Sequence, residues 1–169
     1  MTSGLLQQRD CRGCRRSSGL EELEGGTARL GSHWMVNHYQ NKQEGFLGWL
    51  VAQPTKHRMT FSELTVEELE EFGVAMERLE KALKSAYDTM FPDDPVEVVY
   101  LVRLGESTLA RPPEWHIHCH MLPRTASMKR KCEGWEIQKC RERGIKPEPS
   151  RSEMEELMTR IRHQLAGQN

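Results

Sequence analysis

The 169-residue sequence has no apolar run approaching the roughly 20 residues of a membrane-spanning helix. Its formal net charge is −1, so bulk electrostatics argue for neither nucleic acid nor an anionic membrane as partner. Residues Met1 to Asp10 lack the apolar stretch of a secretory leader. The five cysteines are odd in number, and Cys11 and Cys14 stand too close for an ordinary framework disulfide. Reduced thiols and a cytoplasmic location are therefore expected. There is no internal repeat. With only 37% hydrophobic residues, the chain should have polar ends around one compact middle.

What is present concentrates in one run, Trp115-His116-Ile117-His118-Cys119-His120-Met121-Leu122-Pro123-Arg124. Successive side chains of a β-strand point to opposite faces, so His116, His118 and His120 share one face while Ile117, Cys119 and Met121 share the other. A single histidine is usually structural or solvated, whereas three in register favour chemistry. Two versions compete: an H-x-H pair on zinc with a metal-bound water as nucleophile, or an imidazole that is itself the nucleophile. A regular strand roots His116 and His120 about 13 Å apart, too far to share one ion, so the three must divide their roles.

The rest of the chain predicts an α+β domain with an antiparallel sheet. Residues up to Gly31 read mostly as loop. His33 to Tyr39 and Phe46 to Ala52 read as two strands joined by a polar turn, the second ended by Pro54. Thr65-Val66-Glu67-Glu68 has the capping-box form, and Leu69, Phe72, Met76, Leu79, Leu83, Ala86 and Met90 then recur at helical spacing until Pro92. Val96 to Leu104 reads as a strand, Ser107 to Glu114 as a loop and Trp115 to Leu122 as the histidine strand. After Arg124 the chain turns polar and basic. A second capping box at Ser152-Glu153-Met154-Glu155 introduces an amphipathic helix through Met154, Leu157, Met158, Ile161 and Leu165, expected to dock on its own domain or on a partner subunit. The divisions expected are 1–31, 32–124 and 125–169.

The run His116-Ile117-His118-Cys119-His120-Met121-Leu122, followed by Pro123-Arg124, resembles the H-φ-H-φ-H-φ-φ motif of the histidine triad (HIT) superfamily of nucleotidyl hydrolases and transferases. Leu50-Val51-Ala52-Gln53-Pro54-Thr55-Lys56-His57, then Phe61-Ser62-Glu63-Leu64-Thr65, is similar to a second family block. The resemblance spans about residues 11 to 124. It implies a HIT-like sheet packed with one long helix, here carrying a C-terminal helical extension, and a homodimer. It also implies that His118 attacks the α-phosphorus of a nucleotide or nucleotide conjugate to form a covalent nucleotidyl-imidazole. His120 would donate a hydrogen bond to the phosphate or a proton to the leaving group. The transferase branch carries Gln there, so His120 leans towards hydrolysis.

Cys11-Arg12-Gly13-Cys14 has spacing that lets two thiolates hold one zinc; the competing readings are a disordered tail with spare cysteines and a redox pair. The resemblance supplies the other two ligands of a structural zinc, one per chain: His57 and His116. Arg103, Arg111 and Arg124 are candidate phosphate contacts because guanidinium matches phosphate oxygens. His38 is a candidate for the nucleotide pocket. Cys132 and Cys140 match no familiar metal spacing and are expected as free thiols. Where many HIT members carry Asn-x-Gly and a Gly-Gln-Ser-like phosphate loop, this chain has Arg103-Leu104-Gly105 and Arg111-Pro112-Pro113-Glu114. The two prolines remove backbone donors. Two further readings stay open, a non-catalytic nucleotide-binding or interaction protein that retains the triad and the metal-water hydrolase.

Overall fold

The computed structural model describes residues 11–103 and 115–167. Its elements, in chain order, are helix α1 (Arg12–Ser17), strands β1 (Thr27–Arg29), β2 (Trp34–His38) and β3 (Leu50–Pro54), helix α2 (Val66–Met90), strands β4 (Val96–Val102) and β5 (Cys119–Thr125), and helix α3 (Arg151–Ala166). None of the described helices is long and apolar enough to cross a membrane.

Helix α2 starts at the expected capping box. The Thr65 side chain accepts from the Glu68 backbone N–H, and the Glu68 carboxylate accepts from the Thr65 N–H at 2.8 Å. That carboxylate is buried and also holds Arg58 Nε at 2.9 Å. Met76, Leu79, Leu83 and Ala86 face inward as the periodicity requires. Leu69 does not, being 44% exposed. Counting back from Leu79 in helical steps reaches Ala75 or Met76, Phe72 and Glu68, so the inward place of the first turn belongs to the glutamate.

The five strands form one antiparallel sheet in the order β1-β2-β3-β5-β4. Its two faces differ. Trp34, Val36, Leu50, Ala52 and Met121 join residues of α2 and α3 in the main core. Alternation sends Asn37, Val51, His120 and Leu122 to the other face. Register aligns Asn37 with Val51, Val51 with His120, and His120 with Val102, giving one row across four strands.

Two segments cover the ends of that second face. Helix α1, in a region expected to be mostly loop, sits over Gln53, whose Nε2 donates to Gly13 O at 2.8 Å. At the other end Phe46, Trp49 and Leu122 pack with Met128, Cys132, Ile137 and Cys140. Cys132 and Cys140, expected as free thiols, form a disulfide. Turns at Ala126–Met128 and Gly134–Lys139 bring their Cα atoms to 6.0 Å, within bonding reach. Cys11, Cys14 and Cys119 are not in disulfides.

Helix α3 is capped by Ser150, two residues earlier than expected, with Glu153 completing the box. Met154, Leu157, Met158, Ile161 and Leu165 are all buried, and the helix docks on α2, β1 and β2 of its own chain. Arg162 ties it to the Gly25 carbonyl at 2.8 Å.

Candidate metal centre and active site

The histidine strand begins later than the alternation predicts. β5 starts at Cys119, opposite Ala52, and Trp115 to His118 approach it outside the ladder. The Ile117 N–H donates instead to Arg58 O at 2.7 Å, so the buried Glu68–Arg58 pair at the start of α2 also fixes the approach to the triad. Freed from the ladder, His116 turns towards α1. His118 is half-buried, and His120 stays on the open face of the sheet.

His116 Nε2–H donates to the Pro54 carbonyl at 2.9 Å, which turns its Nδ1 lone pair towards Cys11 Sγ at 3.5 Å and Cys14 Sγ at 3.6 Å. His57 Nδ1 lies 3.3 Å from Cys14 Sγ. One ligand atom from each of these four residues falls within 4.8 Å of all the others. With Zn–S near 2.3 Å and Zn–N near 2.05 Å, a tetrahedron has sulfur–nitrogen edges of about 3.6 Å. The three contacts match that edge. Gly13 makes the approach possible, since a Cβ there would lie 2.3 Å from His116 Cγ. Without a cation, burial and the neighbouring Cys11 push the Cys14 thiol up to about 12. A bound cation reverses that preference, so the donor set fits a zinc ion.

His118 and His120 have different hydrogen-bond settings. His118 Nδ1–H donates to the His116 carbonyl at 2.9 Å, leaving the Nε2 lone pair outward. His120 Nδ1 accepts from the indole N–H of Trp49 at 2.8 Å. Burial lowers both imidazoles below their ordinary range, helped for His118 by the charges of Arg16 and Arg103, and His120 falls to about 3. Both are neutral at pH 7. Their ring centroids are 4.9 Å apart.

The other expected contacts separate. Arg103 directly follows the strand residue paired with His120 and acts electrostatically on His118. Arg124 sits six residues beyond His118, about 20 Å along an extended chain, and is held by Glu97 at 3.1 Å and Glu133 at 3.2 Å. It belongs to the far end of the strand. His38 faces the helix-covered side, with Nδ1–H donating to Tyr39 O and Nε2 accepting from the Gly48 N–H. Fully buried and using both nitrogens, it has nothing left for a ligand. Arg111 and the loop containing it lie outside the described residues.

Three residues near the triad escaped the sequence reading. Arg16 on α1 presents a largely buried cation, paired with Glu21 at 3.2 Å, whose charge reaches His116 and His118. Trp49 orients His120. Asn37, fully buried and two strands from His120 in the same row, has an Oδ1 without a hydrogen-bond partner. None carries a local motif; only the strand register reveals them. A cleft of about 320 Å³ between Tyr39 to Gly45 and the start of α3 does not include the triad.

No family model and no curated protein matches the sequence. Solved structures do resemble it. A hypothetical histidine triad nucleotide-binding protein from Sulfolobus tokodaii superposes with a TM-score of 0.60 at 16% identity, over 93% of each chain. A zinc-bound histidine triad family protein from Mycobacterium smegmatis gives 0.59 at 15% identity, over 95% of this chain and 96% of that one. A Hit-like protein involved in cell-cycle regulation from Bartonella henselae gives 0.57 at 13% identity, over 91% and 95%. The five-stranded antiparallel sheet, with α2 and α3 packed on one face and the histidine-bearing β5 between β3 and β4, makes this the fold of the histidine triad (HIT) superfamily.

Proposed function

We propose that the protein is a nucleotide-binding hydrolase or nucleotidyl transferase that cleaves nucleoside monophosphate derivatives through a covalent nucleotidyl-His118. The observation that carries this reading is the His118 tautomer. With Nδ1–H held by the His116 carbonyl, the Nε2 lone pair is outward and neutral, as a nucleophile near neutral pH requires. Attack forms a bond from Nε2 to the α-phosphorus and expels the leaving group with its bonding electron pair. Water then breaks the phosphorus–nitrogen bond. Arg16 and Arg103 supply positive charge beside His118, and His120 directs its Nε2–H to the same face. Asn37 offers an unpaired acceptor about 10 Å from His120, two strand spacings away, within reach of another part of the substrate.

We assign Cys11, Cys14, His57 and His116 as ligands of one structural zinc per chain, a closed four-donor set that leaves no position for a reactive water. When bound, such an ion would hold α1 against the approach to β5. The reading includes a homodimer, supported by the edge position of β4 with Val98 and Leu101 exposed.

The test is to incubate the parent and His118→Ala with a nucleoside phosphoramidate and a dinucleoside polyphosphate, following product and acid-labile covalent nucleotide by mass spectrometry. The parent should turn over and carry the adduct, and His118→Ala should lose both. Hydrolysis by His118→Ala near the parent rate would overturn the covalent mechanism.

A further inference from the structure

Trp49 decides what His120 can contribute. An indole nitrogen only donates, so the 2.8 Å contact makes His120 Nδ1 an acceptor and places the ring proton on Nε2. The contact is buried. Tyr39 stacks on Trp49 with centroids 4.4 Å apart, and Phe46 lies against its other surroundings at 5.5 Å. Behind the indole stand Met128, Ile137 and the Cys132–Cys140 pair. The groups facing His120 are the indole N–H, the edge of Tyr39 at 5.4 Å and the ring of His118 at 4.9 Å. No carboxylate contact that would favour an imidazolium is present there among the described residues. Protonating Nδ1 would set two N–H groups head to head in a site without water-like freedom.

We propose that Trp49 is a positioning residue that confines His120 to a neutral Nε2–H tautomer, so that His120 stabilises charge on the phosphate by hydrogen bonding and does not protonate the leaving group. This rests on the covalent His118 reading. A neutral imidazole that surrendered Nε2–H would become an imidazolate, which no cation among the described residues contacts. The bond from phosphorus to the leaving group must then break with the electron pair carried off unprotonated. A phosphate oxygen of an anhydride accepts that pair as a stable anion. An alkylamine nitrogen cannot, and needs a proton as the bond breaks. The site is thereby selective for phosphoanhydrides over alkylamine phosphoramidates.

Two measurements test this. Nitrogen-15 NMR of the parent should show His120 at neutral pH with Nε2 protonated and Nδ1 bare; a protonated Nδ1 would overturn the proposal without any variant. Turnover should then be compared on diadenosine triphosphate and on an adenosine alkylphosphoramidate. Trp49→Phe keeps an aromatic ring but removes the donor, which releases Nδ1 for protonation. The ratio of anhydride to phosphoramidate turnover should fall by about tenfold or more, the lower range of general-acid contributions. An unchanged ratio, with the variant folded and His120 still a pure Nε2–H tautomer, would show that the indole is not what sets it. If the parent turns over neither probe, the catalytic reading fails, while the NMR spectrum still decides the tautomer.

Discussion

Replacing Gly13 with Ala tests the metal centre through a single methyl group. The new Cβ would stand 2.3 Å from His116 Cγ and 2.5 Å from Nδ1, against the 3.5–4.0 Å of comfortable carbon contacts, so the two parts must separate by roughly 1.2 Å or more. His116 cannot retreat freely, because Nε2–H is held by the Pro54 carbonyl. Helix α1 must lift instead, and Cys11 and Cys14 lift with it. Alanine gains about 1 kcal/mol over glycine in a helix. Overpacking of this severity lies at the upper end of about 1–3 kcal/mol. The net expectation is a loss of about 2 kcal/mol, or about 4–8 °C in Tm for a chain of this size. Zinc content by plasma mass spectrometry should drop below half of the parent. The stability loss should persist after chelation, since the clash needs no metal. Cys14→Ser should differ, losing stability relative to the parent only when zinc is available. Arg12→Ala on the exposed side of α1 is the control and should change little. Gly13→Ala melting at or above the parent temperature with full zinc would refute the reasoning.

Burial lowers His38 to about 4, below its unfolded value near 6.5, so the unfolded chain binds the proton more readily. Its contribution is therefore complete above pH 6.5 and lost as pH falls towards 4; of the stability that urea unfolding shows to be lost between pH 7 and 5, His38 should account for about 2 kcal/mol, and the loss should be smaller by that amount in His38→Gln. An equal pH dependence in both proteins would remove His38 as its cause. Leu157, fully buried between α3 and the core, should cost about 2–5 kcal/mol when changed to Ala, read as a lower denaturation midpoint; a change under 0.5 kcal/mol would mean that α3 is not docked in solution.

How far these features could be read in advance depended on how local their causes are. Thr65 and Glu68 satisfy each other's backbone within one turn, so the start of α2 was legible from four residues. The alternation around His120 likewise shows its faces directly. The cap of α3 was ambiguous because Ser150 precedes Glu153 just as Ser152 precedes Glu155; the earlier pair wins, and the chain is helical directly after Pro149 and Ser150. The start of β5 was misplaced because β3 offers no paired partner beyond Ala52, and the Ile117 N–H finds Arg58 instead. Arg124 looked like a phosphate ligand beside the triad, yet only register shows that six extended residues carry it away to Glu97 and Glu133. The Cys132–Cys140 bond and the contact between Trp49 and His120 depend on packing between distant segments. No periodicity announces either one.

The four residues of the proposed metal centre come from separate stretches of chain: Cys11 and Cys14 from the cap and body of α1, His57 from the turn after β3, and His116 from the approach to β5, 105 positions after Cys11. Such a set exists only after the central pairing of β3 with β5 has closed. During synthesis the cysteine pair emerges long before His116, and alone it offers an ion half a tetrahedron. The cluster is thus a register of completed assembly: its last member, His116, arrives on the same segment as the proposed nucleophile His118, two residues before it. A chain whose β5 has slipped would forfeit the four-residue cluster and the placement of His118 together.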